Sequence, residues 1–100
     1  KAGLSNLASL LSLEWARYKI NVNAVCPGVA KTPMTEMVYK RDPGLQAQRL
    51  KRMPMGREVL PEEIADLVLF LCSDKSTYIN GASIPIEGGF LYSGFMPEPE

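Results

Sequence analysis

Two short alternating runs separated by one proline-led apolar helix constrain the fold more than any other feature. INVNAVC at 20–26 alternates Ile20, Val22 and Ala24 with Asn21, Asn23 and Val25, and Pro27-Gly28 stops it, which predicts a strand. PEEIADLVLFLCSD at 61–74 places Pro61 at a first helical position, puts Glu62 and Glu63 at the positive end of the helix dipole, and is apolar nearly all round. Leu60 has no side-chain oxygen with which to cap this helix, so packing is expected to fix its start. SIPIE at 83–87 alternates again, and Pro85 withholds a backbone donor that a central strand needs, which predicts a sheet edge. Strand, helix, strand in this order predicts parallel strands joined by a right-handed crossover. Parallel sheets are buried on both faces. More sheet is therefore expected than these two strands supply.

Residues 2–17 predict another helix. Leu4, Leu7, Ala8, Leu11 and Trp15 form one apolar stripe, which Leu10 and Leu13 widen, so cover on two sides is expected from further sheet, a partner subunit, or both. The first residue is Lys1, with no methionine, in what reads as the middle of a helix, so preceding chain is expected.

The 100 residues are 46% hydrophobic, which suits a single small domain, and eleven charges of each sign cancel. Nucleic-acid binding normally needs a basic excess. The local cluster of Lys40, Arg41, Arg49, Lys51, Arg52 and Arg57 reads as a solvated loop in preference to an anion site. There is no histidine, which removes the usual zinc spacings and histidine-activated nucleophiles, so no metal is expected. Cys26 and Cys72 read as core thiols. The apolar run 64–72, interrupted by Asp66, is far short of the ~20 residues that span a bilayer. A cytoplasmic protein with neither membrane nor nucleic-acid partners is expected.

The connection at 27–60 far exceeds the ~2 to 6 residues that a strand-to-helix link requires. It leaves from the carboxyl end of a parallel strand, where open α/β sheets bind ligands, and PGLQAQRLKRM at 43–53 can form a short helix within it. This predicts a substrate-covering loop, and Met34, Met37, Val38, Tyr39, Leu45, Met53 and Met55 suggest either an apolar lining or packing filler. At its start, Gly28 permits close approach of a flat ligand, Pro33 holds Thr32 extended, and the Thr32 hydroxyl both donates and accepts, which suits a carboxamide. The same residues fit two plain turns equally well. In the tail at 90–100, Phe90, Tyr92 and Phe95 read as packing groups on a neighbouring surface.

In this order and spacing, KAGLSNLASLLSLEWARYKINVNAVCPGVAKTPM, PMGR at 54–57, PEEIADLVLFLCSD and NGASIPIEGG at 80–89 closely resemble the C-terminal part of the short-chain dehydrogenase/reductase family. The resemblance implies an α/β fold, the C-terminal portion of a Rossmann-like doubly wound parallel sheet, within one domain over 1–100. It also implies a substrate-binding loop at 34–57 and NAD or NADP as cofactor. Lys1 matches the lysine of the family's Tyr-x-x-x-Lys pair, which binds the nicotinamide ribose and lowers the pKa of the catalytic tyrosine. Tyrosine and lysine four apart share one helix face, and an adjacent cation favours the ionised phenol. Pro27 and Gly28 match the turn beside the nicotinamide, Ala30 the backbone position that holds its carboxamide, and Thr32 the hydroxyl bonded to the same group.

The implied function is part of an NAD(P)-dependent oxidoreductase that interconverts an alcohol and a ketone or aldehyde, working as a homodimer or homotetramer. The glycine-rich motif, catalytic serine, asparagine and tyrosine have no counterparts in 1–100, so the chain alone is expected to be inactive. Val59, Glu87 and Cys26 depart from the family pattern, where glycine, aspartate and a small residue are commoner. The alternatives are a non-catalytic oligomerisation module and a relative that performs epimerisation or dehydration on the same fold.

Overall fold

The computed structural model describes residues 2–90 and 94. Its elements are α1 (Ala2–Trp15), β1 (Ala24–Pro27), α2 (Pro33–Arg41), α3 (Pro43–Lys51), α4 (Pro61–Leu71) and β2 (Ser83–Ile86), with single 3-10 turns at Ala16–Tyr18 and Asp74–Ser76. β1 and β2 pair in parallel, from Ala24 opposite Ser83 to Pro27 opposite Ile86, with Pro85 opposite Cys26. Among the described residues β2 has no second neighbour, the position in which a strand proline is tolerated.

The ladder begins later than the alternation at 20–26 predicts, because asparagine side chains replace backbone pairing ahead of it. Asn21 Nδ2 donates to the Thr77 carbonyl at 2.9 Å, and Asn23 Nδ2 donates to the Ile79 carbonyl at 3.0 Å. In the other direction the Val22 N–H donates to Asn80 Oδ1 and the Ala82 N–H to Asn23 Oδ1, both at 2.9 Å. A primary amide offers a carbonyl acceptor and an NH2 donor, so it can substitute for a peptide group. Of the alternating apolar residues Ile20 is exposed and Ala24 buried, and the asparagines between them serve this junction.

α1 buries only Ala8 and Ser12, while Leu4, Leu7, Leu10 and Leu13 are exposed, Leu13 to 79%. α4 buries nothing fully, and Val68, Leu69 and Phe70 are exposed. The two-sided cover expected for these helices is thus not provided by the described residues. For the same reason Cys72, expected in the core, is exposed just beyond α4, whereas Cys26 is half-buried in β1.

The start of α4 also differs from expectation, since electrostatics rather than packing fixes it. The Glu63 carboxylate accepts the Leu60 N–H at 2.9 Å, satisfying a donor the helix leaves open, and Arg57 grips both oxygens of that carboxylate at 2.6 and 2.9 Å. These bonds, chiefly that to Arg57, hold the Glu63 carboxyl down at about 2. A carboxylate whose pKa is lower folded than unfolded adds stability above its unfolded pKa, and that stability is lost as pH falls through the folded value. Acidification from about 4.5 toward about 2 should therefore unfold Glu63→Gln with a shallower pH dependence than the parent. Unfolding midpoints against pH check this, and the difference should shrink in high salt because the pair is solvent-accessible.

Candidate nicotinamide-binding edge

β1 ends at Pro27, and the next residue, Gly28, donates its N–H to the Ile86 carbonyl at 3.0 Å. A Cβ on Gly28 would lie 2.8 Å from Glu87 Cβ and 3.0 Å from Glu87 Cα. Within the described chain, then, the close approach that requires glycine is to Glu87. Glu87, one of the departures noted above, also accepts the Gly89 N–H through Oε1 at 3.2 Å.

The long connection closes on itself before α4 begins. The Val59 N–H donates to the Val29 carbonyl and the Lys31 N–H to the Val59 carbonyl, both at 3.0 Å, which makes a parallel bridge between Ala30 and Val59. This bridge turns the polar groups of Ala30 away from Val59. The Ala30 carbonyl accepts the Thr35 hydroxyl at 2.9 Å. Among the described residues the half-buried Ala30 N–H has no hydrogen-bond partner.

Thr32 begins a helix, an outcome that neither reading of TP anticipated. It is extended (φ −130°, ψ 165°), as a residue before proline should be, and it caps α2. Thr32 Oγ1 accepts the Thr35 N–H at 3.3 Å, and Thr35 Oγ1 returns the bond by accepting the Thr32 N–H at 2.9 Å. The two hydroxyl oxygens are 3.4 Å apart and either can donate, a long contact from which the Thr32 hydroxyl can turn to a better-placed acceptor. A half-buried N–H at Ala30 and a hydroxyl at Thr32 two residues on form a donor–donor–acceptor set. A carboxamide, with one accepting oxygen and one donating nitrogen, fits that set.

The segment 34–57, expected as one loop with a short helix, contains two helices with distinct faces. Met34, Met37 and Val38 of α2 are exposed, whereas Tyr39 is buried. The Tyr39 hydroxyl donates to Glu58 Oε2 at 3.2 Å, and the Arg49 guanidinium lies 5.7 Å from the Tyr39 ring centre and donates to its oxygen at 3.5 Å. Met53 is buried, Leu45 half-buried and Met55 exposed, so the apolar residues of the connection divide between packing and an open face.

A cavity of about 100 Å³ opens between Val29, Met53, Val59, Ile86, Glu87 and Phe90. A wider groove of about 340 Å³ runs past Lys31, Thr35, Tyr39, Gln46 and Glu58. Pro27, Gly28, Ala30 and Thr32 line neither; they lie together at the carboxyl end of β1 and the turn into α2. Lys1, Tyr92 and Phe95 lie outside the described residues. The basic cluster is not one patch. Arg49 stacks on Tyr39, Arg52 lies over Phe90 at 5.8 Å, and Arg57 holds Glu63, while Lys40, Arg41 and Lys51 are exposed.

Sequence reasoning missed Thr35 and Glu58. The spacing T-x-x-T carried the signal for Thr35, being that of a reciprocal cap. No local pattern announces Glu58, whose role depends on a tyrosine brought to it from α2.

The chain is similar in sequence and in structure to known proteins. A family profile described as Enoyl-(Acyl carrier protein) reductase matches residues 1–91. A tropinone reductase homolog of Arabidopsis thaliana is 41% identical over 100 residues, all of this chain and 38% of that protein. The 3-oxoacyl-[acyl-carrier-protein] reductase FabG of Thermotoga maritima is 42% identical over 91 residues, 91% of this chain and 36% of that protein. A crystal structure from Agrobacterium tumefaciens with bound NADP superposes with a TM-score of 0.84 at 38% identity, covering 91% of this chain and 37% of that one. The chain thus spans well under half the length of the relatives it matches. With its parallel strand pair, its connection built from two helices and this extended similarity in both sequence and structure, the chain belongs to the short-chain dehydrogenase/reductase family.

Proposed function

We propose that these residues supply the nicotinamide-holding edge and the substrate lid of an NAD(P)-dependent oxidoreductase that interconverts an alcohol and a ketone or aldehyde. The observation that carries this reading is the pair of available donors, the Ala30 N–H and the Thr32 hydroxyl, at the carboxyl end of β1. When bound, the dinucleotide supplies the hydride. The chain's own part is to hold the carboxamide between Ala30 and Thr32 and to place the apolar face of α2, with Met34, Met37 and Val38, over the reacting centre so that water is kept out. The names of the relatives support a reductase, and the bound NADP of the Agrobacterium structure supports the cofactor class, which for this chain stays NAD or NADP. Lys1 is assigned the ribose-binding and tyrosine-activating role through the family resemblance, with the general acid tyrosine four residues ahead of it.

Thr32 has two duties, capping α2 and binding the carboxamide, and substitutions separate them. In the protein that carries this chain, Thr32→Ala should weaken nicotinamide binding about tenfold, the worth of one good hydrogen bond. Thr32→Ser should retain affinity, and Thr35→Ala should loosen α2 with less effect on affinity. NADH and NADPH fluorescence titrations read the result; equal affinity for Thr32→Ala and the parent would remove Thr32 from the site.

A second reading rests on the exposed leucines of α1. They suit an oligomer interface, and a module retained only for assembly would form a dimer or tetramer without quenching or enhancing nicotinamide fluorescence.

A further inference from the structure

Asn80-Gly81 joins the most labile dipeptide for backbone-mediated deamidation to a geometry that suppresses the reaction. Glycine following asparagine leaves the attacking peptide nitrogen least hindered, yet glycine is required at this position. Gly81 has φ +75°, and a Cβ there would sit 2.7 Å from the Oγ of buried Ser12. Asn80 is equally constrained, since its Oδ1 accepts the Val22 N–H at 2.9 Å and its Nδ2 donates to the Ser12 carbonyl at 3.2 Å.

We infer that Asn80-Gly81 is a deamidation site whose reactivity is gated by Val22. Reaction requires the Gly81 nitrogen to give up its proton and attack Asn80 Cγ. The new C–N bond closes a succinimide, the Cγ–Nδ2 bond breaks, and the nitrogen departs as ammonia. Water then opens the ring to leave aspartate or isoaspartate at position 80. In the folded chain the Gly81 N–H is donated to the Val22 carbonyl at 2.8 Å, while the Val22 N–H holds the carbonyl oxygen of the very amide to be attacked. One residue thus restrains nucleophile and electrophile together. Asn80 is exposed, so burial does not protect it; the hydrogen bonds do.

The segment that carries Val22 lies ahead of the regular ladder and is held by side-chain bonds of Asn21, Asn23 and Asn80 and by the Gly81–Val22 backbone bond rather than by a continuous ladder, which makes it a candidate for local opening. Each opening exposes the dipeptide. The products do not reseal it: aspartate lacks the Nδ2 donor to Ser12, and isoaspartate lengthens the backbone between Asn80 and Gly81 by one methylene. Deamidation at this junction therefore records local opening irreversibly and removes the tie from residue 80 to Ser12 of α1.

The test incubates the full chain in mildly alkaline buffer with and without concentrated urea and maps aspartate and isoaspartate formation by peptide mass spectrometry. Asn6, Asn21 and Asn23 serve as internal controls. Conversion at Asn80 should lead the other asparagines in urea and be at least about tenfold slower in buffer, the ratio expected for an opening that costs 1.4 kcal/mol or more. Amide exchange at Gly81 in buffer should be slowed by a similar factor. Equal rates in the two solutions, an unprotected Gly81 amide accompanying slow conversion, or controls that convert ahead of Asn80 in urea would each overturn the inference.

Discussion

Gly28→Ala is expected to destabilise the chain by about 1–3 kcal/mol, the usual cost of forcing a group into a close-packed site. Its Cβ would meet Glu87 Cβ at 2.8 Å and Glu87 Cα at 3.0 Å. Neither atom can rotate away, so the strands must separate where Gly28 bonds to the Ile86 carbonyl. Gly3→Ala is the matched comparison: Gly3 lies inside α1 with nothing within 4 Å, and alanine there should stabilise the helix by roughly 0.5–1 kcal/mol. Opposite shifts in the urea midpoint are expected for the two variants. Shifts of one sign and similar size would mean that the crowding at Gly28 has no energetic weight.

Tyr39→Phe is the second large effect. Glu58 is 8% exposed, and the Tyr39 hydroxyl is its side-chain hydrogen-bond donor. Removing that hydroxyl strands a buried carboxylate, at a cost of about 1–3 kcal/mol. The loss should appear first as faster amide exchange across α2 and α3, because this bond ties the two helices to the strand-like segment that bridges to Ala30. Adding Glu58→Leu removes the stranded charge as well, so the double variant should be more stable than the sum of the single effects, with a coupling of about 0.5–3 kcal/mol. Strict additivity would show that the pair does not act as a latch.

These two sites differ in how far the sequence exposes them. The strand–helix–strand order and the parallel pairing were legible because proline, glycine and apolar period are local signals. The boundaries at 20–23 were not, because Asn21 and Asn23 answer to Thr77, Ile79 and Ala82 far along the chain. The start of α4 looked uncapped at Leu60, yet a capping carboxylate stood three residues later in Glu63, with Arg57 to hold it. Cys72 misled because an apolar helix implies cover that the described residues do not provide. At the candidate site, Thr32 was legible from its hydroxyl and the proline that follows it, whereas Ala30 entered through family resemblance, and the Ala30–Val59 bridge gives the physical reason for the available N–H. Val59, which departs from the family pattern, supplies both backbone bonds of that bridge.

Hydride transfer between a nicotinamide and a carbonyl is the reaction proposed for this edge. Its most direct measurement is carbonyl-dependent loss of NADH or NADPH absorbance, catalysed by the protein that carries these residues, over a panel of ketones and aldehydes. The expected result is turnover with at least one carbonyl, with Thr32→Ala acting mainly through a raised KM for the cofactor and Thr32→Ser close to the parent. Tight nicotinamide binding with no turnover of any carbonyl or alcohol, or turnover unaffected by Thr32→Ala, would contradict it.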